Sequence, residues 1–452
     1  MEFESNNNLF DIVVDDNIPL WQLARYDIYN KIVGKDHINL HYSFFKKTFL
    51  FIHILLHQIK IIFSKFDILY IGSSRKVNKK NVDRNYELLM NALDISSKCM
   101  YFETNYKSLK LSYKNIRSFV PILKLVTKII ATSPSPFIKD VNMGIINEMA
   151  KRVKCTYNIE DIENIFINDY LQFKLEYLYF KFILNYKKVK KVFFTKDGMQ
   201  YALIYACREQ KIPIAEFQHG DIVNTDVSIS FENTPKKNLL IPDFHLVYSD
   251  YWIKNIETYS RCIEVGKYSI PMILSMSIDT SFILLITDLF NMDFYCHLAK
   301  ELADSYSNYK IIFKLHPRMA SSKRKYNKEF FTDKRIIVIS TEYTVEDLCQ
   351  NIINVVGSYS TAMYEAYDEG CNLFIYRTKN DRQYTFLENE NIEYFEKSSD
   401  LINQLQKASL SKANRIKVYF KDPNINNLKK VLTMMNDMTI MSPDIRTEKE
   451  RK

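Results

Sequence analysis

The chain has 452 residues, more than a single hydrophobic core usually supports, so two domains of roughly 200 residues each are expected. Hydrophobic residues make up 47% of the chain and charged residues 25%, which is typical of a folded globular protein and excludes an intrinsically disordered one. The formal net charge of +9 indicates an acidic partner, and nucleic acid, an anionic membrane and a phosphorylated substrate are the alternatives.

The seven cysteines are scattered along the chain and never form a Cys-x-x-Cys pair. This spacing indicates neither a disulfide framework nor a structural zinc site, and it favours a reducing compartment. The first residues lack the basic and apolar regions of a secretory signal. We therefore expect a cytoplasmic protein.

The most apolar stretch, residues 49–63, is too short and too polar to span a bilayer, and it predicts a buried or membrane-surface helix. After it, short apolar runs alternate with helical segments, the pattern of a parallel sheet covered by helices. The elements predicted in this half are, in chain order, a strand over 67–72, a helix over 86–97, basic amphipathic helices over 106–131, a long helix over 159–186, a strand over 191–195, a helix over 199–210, and strands over 212–217, 244–248 and 262–266.

A second alternating series follows in the C-terminal half. Its predicted elements are strands over 282–287, 310–315, 335–339, 353–356 and 371–376, with helices over 293–306, 345–351 and 361–369. The sequence therefore predicts an α/β protein with two Rossmann-like lobes built on parallel sheets. We expect an N-terminal domain over 1–270, a C-terminal domain over 271–410, and a final helix with a basic tail over 411–452.

Lysines cluster beside aromatic and aliphatic residues at 46–47, 107–128, 187–191 and in the tail after 446. Basic amphipathic stretches bind anionic headgroups, so this distribution favours peripheral contact with a membrane. No zinc finger, helix-turn-helix or RNA-binding aromatic motif is present, and no nucleic-acid partner is expected. Solvated helix faces on a basic protein are the alternative.

Four short polar motifs each follow a predicted strand. They are Lys196-Asp197-Gly198, Gln218-His219-Gly220, His316-Pro317-Arg318 and Gly357-Ser358-Tyr359-Ser360-Thr361. Ligands of open parallel sheets bind beyond the carboxyl ends of the strands. If the two lobes face each other, all four motifs are predicted to converge on one cleft.

The motifs of the second lobe have the chemistry of a phosphate site. Lys314, His316 and Arg318 make a cationic strand end, although a histidine before proline can also be structural. The segment from Gly357 to Thr361, with the hydroxyls of Ser358, Ser360 and Thr361, precedes a helix, where anions bind readily. Helix capping by Ser360 or Thr361 is the simpler interpretation.

Three further side chains have a second interpretation beside the functional one. Glu365, one turn after Thr361, could accept hydrogen bonds from a ribose or simply face solvent. Asp197 could remove a proton from a sugar hydroxyl, or it could cap the helix that follows. His219 is a second candidate base or phosphate ligand, with a satisfied core histidine as its alternative.

The motifs together resemble those of the bacterial GT-B sialyltransferases and capsule polysialyltransferases. The resemblance rests on His316-Pro317, on Ser360-Thr361 and on Asp197-Gly198, over roughly residues 190–370. It implies a GT-B fold and an inverting, metal-independent glycosyltransferase that uses a CMP-nonulosonate donor and needs no cofactor. It further implies that His316, Ser360 and Thr361 hold the donor phosphate and that Asp197 is the base.

Further expectations follow from this resemblance. The acceptor would be a lipid-linked oligosaccharide of a surface polysaccharide, O-antigen or capsule, and the enzyme would work at the inner face of the cytoplasmic membrane. This chain departs from the family pattern at Lys196, where the family has a second acidic residue. The motif order is also similar to that of CDP-polyol phosphotransferases of teichoic-acid type and capsule Kdo transferases. A nucleotide-sugar-binding assembly factor is the non-enzymatic alternative.

Overall fold

The computed structural model describes most of the chain. The described residues are 4, 7–15, 18–32, 58–72, 76–77, 82–94, 98–103, 116–118, 143–157, 159, 161–195, 200–222, 231, 239–254, 258–269, 281–288, 291–327, 331–358, 360–377, 392–409 and 411–440. The predictions made for Lys196-Asp197-Gly198, for residues 49–57 and for the basic tail lie outside them.

Strands and helices alternate through both halves of the chain. The strands are β1 (Val13–Val14), β2 (Ile18–Pro19), β3 (Ile68–Gly72), β4 (Lys76–Val77), β5 (Val82–Asp83), β6 (Cys99–Glu103), β7 (Ile116–Ser118), β8 (Lys191–Thr195), β9 (Ile214–Phe217), β10 (Phe244–Val247), β11 (Arg261–Glu264), β12 (Phe282–Ile286), β13 (Lys310–Lys314), β14 (Ile336–Ile339), β15 (Asn354–Gly357), β16 (Asn372–Tyr376) and β17 (Ile392–Phe395). The helices are α1 (Leu20–Ile32), α2 (58–63), α3 (Arg84–Ala92), α4 (Met143–Lys154), α5 (Ile162–Lys187), α6 (Tyr201–Glu209), α7 (Asp250–Ile253), α8 (Met292–Ser305), α9 (Lys323–Lys325), α10 (Val345–Cys349), α11 (Thr361–Asp368), α12 (Ser398–Lys407) and α13 (Ile425–Ile440).

The first sheet has seven strands in the spatial order β11-β10-β9-β8-β3-β6-β7, and every neighbouring pair is parallel. The chain starts in the middle of the sheet at β3, builds outward through β7, and then returns to the other side at β8. This is the doubly wound arrangement of Rossmann-like folds. Residues 116–118 were predicted to be helical, and this was wrong, because they form the parallel edge strand β7 beside β6.

The second sheet has six strands in the spatial order β14-β13-β12-β15-β16-β17, again all parallel. Numbered along the chain, this order is 3-2-1-4-5-6, that of the Rossmann fold. The predicted α/β class with two Rossmann-like lobes is therefore confirmed.

Both faces of each sheet are covered, which explains why the strands are continuous apolar runs rather than alternating ones. In β12 all five residues are buried. Leu284 and Ile286 pack into the core on one face, and Ile283 and Leu285 into the core on the other. In the first sheet, Val192 and Phe194 of β8 pack in the core on one face and Phe193 in the core on the other.

Helix α13 follows the second sheet in the chain but packs on the first lobe. Its residues Leu428, Val431 and Met435 are buried in a core shared with β3, β6 and α3. The segment before it is fixed to the connection between the lobes, because Lys267 N donates to Lys421 O at 2.9 Å and Asn424 N donates to Val265 O at 2.8 Å.

That crossing requires a glycine at position 266. Gly266 has φ of +71°, and a Cβ there would lie 2.1 Å from Asp422 O. A side chain is therefore excluded both by the backbone conformation and by the close approach of the crossing segment. Among the described residues, no helix is both long and apolar enough to cross a membrane.

Candidate active site

The strand order of each sheet reverses at one point, and ligands of such sheets bind beyond the carboxyl ends of the strands at that point. In the first sheet the reversal lies between β3 and β8, and in the second between β12 and β15. The chain leaves β12 at Thr287 and β15 at Ser358, while β8 ends at Thr195. These residues mark the edge on which the predicted motifs were placed.

Asp288 organises the reversal point of the second sheet. Ser358 Oγ donates to Asp288 Oδ2 at 2.7 Å, and Asn291 donates to the carboxylate from its backbone N–H at 2.7 Å and from Nδ2 at 2.8 Å. The carboxylate thus joins the loop after β12 to the loop after β15. Asp288 was not predicted as a site residue, although it follows a buried strand closely, as Asp197 does.

The start of helix α11 is where the two lobes meet. Ser360 is its N-cap, and its Oγ accepts from Ala362 N at 3.3 Å. Thr361 Oγ1 donates to Asp221 Oδ1 at 2.7 Å and accepts from Asp221 N at 3.3 Å. Asp221 directly follows Gln218-His219-Gly220, so a motif of the first lobe lies against a motif of the second.

Lys314 is buried at the end of β13, and its Nζ donates to the carbonyl oxygen of Ser340 at the end of β14. Burial lowers the pKa of this ammonium group to about 8, and the nearby carboxylates of Glu342 and Glu365 oppose the shift. Lys314 therefore ties two strand ends together and adds positive charge beneath the site.

His316 lies two residues further on and is half-buried. Its backbone N–H donates to Thr287 Oγ1 at 3.3 Å, and its carbonyl accepts from Met319 N at 2.8 Å. Pro317 starts a short 3-10 turn that contains the backbone of Arg318, whose side chain is outside the described part. The turn places His316 beside the reversal point.

Glu365 belongs to a cluster of charges that bridges the lobes. Lys267, almost completely buried after β11, contacts Glu365 Oε1 at 2.5 Å and Glu346 Oε1 at 2.6 Å, and it lies 4.3 Å from the centre of the Phe420 ring. Arg84, the first residue of α3, reaches Glu346 Oε2 at 3.6 Å. Burial alone would raise the pKa of Glu346, but Lys267 and Arg84 hold that pKa below its usual value.

A buried polar network supports the first-lobe edge. Tyr70 OH shares a hydrogen bond with Thr195 Oγ1 at 2.6 Å and donates to Asp83 Oδ1 at 2.9 Å. Asn85 Nδ2 donates to Thr195 Oγ1 at 3.2 Å and to Gln218 O at 3.3 Å. The network therefore fixes Thr195, two residues before Asp197, and Gln218, the residue directly before His219.

The loop that carries His219 is held by its neighbour Gln218. Gln218 Nε2 donates to Gly220 O at 2.6 Å, and Gln218 Oε1 accepts from Tyr248 N at 2.7 Å. His219 sits half-buried between these two anchor points. Its backbone position is thus set by side-chain hydrogen bonds from within the first lobe.

Neither a protein-family model nor a curated protein sequence matches this chain. Solved structures that it is similar to include the UDP-GlcNAc 2-epimerase from Methanocaldococcus jannaschii, at 13% identity and a TM-score of 0.48 over 82% of this chain and 99% of that one. The UDP-N-acetylglucosamine 2-epimerase from Rickettsia bellii matches at 12% identity and a TM-score of 0.47, over 82% and 96%. The glycosyltransferase VinC in complex with dTDP matches at 9% and 0.45, over 82% and 95%.

At such identities and TM-scores these likenesses say nothing about what this chain does, and its fold is read from its own sheets. Two parallel Rossmann-like sheets meet through the loops at their carboxyl edges, and the last helix crosses back to the first lobe. The chain has the GT-B fold. None of the three solved structures is described as a sialyltransferase, so the family drawn from the motifs remains a prediction.

Most of the predicted residues lie at the carboxyl ends of the strands of the two sheets or on the helix that follows. In the second lobe these are Lys314, His316, Gly357, Ser358, Ser360, Thr361 and Glu365, and His219 lies on the first-lobe side. Asp197 lies outside the described residues, between the end of β8 and Gln200. Asp221 and Lys267 were not predicted, because no local pattern shows which residue of one lobe contacts the other lobe.

Within the described part of this GT-B chain, no group of three or more His, Cys, Asp or Glu side chains is placed to hold a metal ion. The cationic groups around the cleft are side chains of the second lobe and of the connection between the lobes, such as Lys314 and Lys267. The arrangement combines a helix N-terminus that carries hydroxyl groups, one histidine on each lobe, and buried positive charge.

Proposed function

We propose that the protein is an inverting glycosyltransferase that takes a sugar from a CMP-linked nonulosonate and adds it to a bacterial surface polysaccharide. The observation that carries the proposal is the pair of hydrogen bonds between Thr361 and Asp221. They bring the N-terminus of α11, suited to a donor phosphate, against the loop of His219, suited to an acceptor.

The donor phosphate would bind at the start of α11. The dipole of the helix favours an anion at this end. Ser360 Oγ accepts a hydrogen bond from Ala362 N, which leaves its own hydroxyl proton to be donated. His316 approaches from the end of β13, and buried Lys314 raises the local positive potential.

Transfer then needs a base on the first lobe. The acceptor hydroxyl oxygen forms the bond to the anomeric carbon while its proton passes to Asp197, or to His219 if that residue is the base. The bond from the anomeric carbon to the phosphate oxygen breaks, and CMP leaves with the electron pair. Groups at α11 and His316 stabilise the charge that develops on the phosphate.

A donor screen tests this proposal. We expect CMP and CMP-nonulosonates to raise the melting temperature, and UDP, GDP and dTDP to leave it unchanged, since ligand binding stabilises the folded state by mass action. Thr361→Val, which replaces the hydroxyl by a methyl group of similar size, should reduce the stabilisation by CMP. Stabilisation by UDP-GlcNAc together with its conversion in the absence of any acceptor would contradict transfer, because epimerisation needs no acceptor.

Turnover separates the remaining alternatives. A CDP-polyol phosphotransferase would release CMP from a CDP-polyol and transfer phosphate with the polyol, whereas a nonulosonate or Kdo transferase would leave the phosphate on CMP. A nucleotide-sugar-binding assembly factor would bind tightly and turn over none of these donors. Mass spectrometry of the product, formed on a lipid-linked oligosaccharide acceptor, distinguishes these three outcomes.

A further inference from the structure

Two neighbouring helices of the first lobe expose an unusual amount of apolar surface. Half of the large hydrophobic side chains that are exposed in the described part of the chain lie on α2 and on the last turns of α5. We call this set the aromatic patch, and its members are Ile59, Ile62, Phe63, Leu178, Phe182 and Tyr186. Phe63 is 82% exposed and Phe182 is 54% exposed.

The α5 part of the patch is a continuous stripe. Leu178, Phe182 and Tyr186 follow one another at a spacing of four residues, which places them on one helix face. The rings of Phe182 and Tyr186 are stacked, with centroids 5.5 Å apart. The opposite face, with Phe180 and Leu184, is already buried in the core. A helix that is apolar on both faces ordinarily has a partner on both.

The two helices form one surface. Tyr179 OH donates to Gln58 Oε1 at 2.9 Å at one end, and Lys187 Nζ donates to Ser64 O at 2.9 Å at the other. Lys187 Nζ also binds the carbonyl of Ile62. The exposed side chains of α2 and α5 therefore share a side of the lobe.

Lysines flank the aromatic patch in the sequence. Residues 58–66 and 177–190 together contain six lysines and no acidic residue. Lys60, Lys65, Lys188 and Lys190 are exposed and form no ion pair with any described residue. Exposed apolar side chains with lysines beside them in the sequence match the interface of an anionic bilayer, where aromatic side chains enter the headgroup region and lysines meet phosphates.

We propose that the aromatic patch of α2 and α5 docks the protein on an anionic lipid surface. The inference deepens the proposed function, because a lipid-linked acceptor is presented at such a surface. It is tested by binding alone, without turnover.

The experiment is cosedimentation of the full chain with vesicles of phosphatidylcholine, with and without phosphatidylglycerol. We expect binding only with phosphatidylglycerol, and weaker binding as salt is added. The double substitution Phe182→Ser and Tyr186→Ser should reduce binding about tenfold, and Lys60→Gln about fivefold. All three side chains are exposed, so folding is not at risk.

Ile416→Ser is the matched control. Ile416 is 88% exposed, but its basic neighbours are already engaged, Arg415 with Tyr367 O at 3.1 Å and Lys417 with Asp422 at 3.2 Å. Its substitution should leave vesicle binding unchanged.

Three results would overturn the inference. One is no binding to anionic vesicles. A second is a dimer that the patch variants disperse, which would make the patch an interface between copies of the chain. The third is a lowered melting temperature with unchanged binding, which would mean that the patch packs against the chain itself. Transfer to a lipid-free acceptor, measured separately, shows whether the proposed function stands in each case.

Discussion

Single substitutions at Asp197 and His219 identify the catalytic base. If Asp197 is the base, Asp197→Asn keeps the size and hydrogen-bonding shape of the side chain but cannot take the proton. Turnover should then fall about 10²–10⁴-fold with little change in donor affinity or melting temperature. Steady-state kinetics and calorimetry measure these quantities.

His219→Ala is the counterpart of that experiment. Should His219 be the base, this variant shows the loss of rate, whereas Asp197→Asn retains activity. The structure removes the alternative that Asp197 caps the following helix, because that helix starts at Tyr201 and its N-cap is Gln200. A fully active Asp197→Asn enzyme rules out the assignment of Asp197.

His316→Ala addresses the donor side of the cleft. A hydrogen bond to a charged phosphate contributes about 1.5–3 kcal/mol, so donor affinity should fall at least about tenfold. The backbone of His316 is fixed by Thr287 and Met319, so the turn survives loss of the imidazole. Titration calorimetry with CMP gives the affinity, and an unchanged value in the folded variant would assign His316 to structure.

The hydrogen bond between Asp221 and Thr361 predicts opposite changes in CMP affinity when one or the other side chain is replaced. Thr361 Oγ1 donates to Asp221 in this structure, so a donor phosphate that takes the same hydroxyl must displace the carboxylate. Asp221→Ala should therefore strengthen CMP binding about two- to tenfold, and Thr361→Val should weaken it by a similar factor. If both variants shift affinity in the same direction, the hydroxyl is not the shared group.

At the scale of elements, the ion cluster on Lys267 connects the strand β11 to the helices α10 and α11. Its ammonium group is nearly inaccessible, and replacing it by methionine leaves Glu346 and Glu365 close together without their shared cation. Such a loss costs about 3 kcal/mol, and the free energy of unfolding from urea titration should fall by that amount.

Lys421→Met is the control for that prediction. Lys421 also bridges two carboxylates, Asp250 at 2.9 Å and Glu264 at 2.7 Å, but its side chain is 37% exposed. Exposed ion pairs contribute about 1 kcal/mol or less, so this variant should be nearly as stable as the wild type. Equal losses in both variants would show that burial of Lys267 does not matter.

For the whole molecule, the GT-B cleft carries its positive charge on side chains and helix N-termini. We therefore expect transfer to continue in excess EDTA at an unchanged rate. The measurement is product formation before and after chelation, with Mg²⁺ and Mn²⁺ added back. Activity that disappears with EDTA and returns with either metal would contradict metal-independent transfer.

The alternation of strand and helix could be predicted from the sequence because it is a local property of the chain. Apolar runs such as 282–287 can only be buried on both faces, which fixes the α/β class and places polar motifs at the strand ends. The strand β6 was not predicted, although Cys99–Glu103 begins with a short apolar run and is buried throughout. The strand β7 was not predicted because Ile116–Ser118 has no such run, and its edge position depends on its pairing with β6.

The pairing of residues across the cleft was decided only by tertiary structure. Ser360 and Thr361 could be found from the sequence because their helix begins there, but their partner could not. Asp221 is 140 positions away from Thr361, and Lys267 is 98 positions away from Glu365. No periodicity carries information over such separations, because contacts of this kind arise only when two independently folded sheets are brought together by a connecting segment.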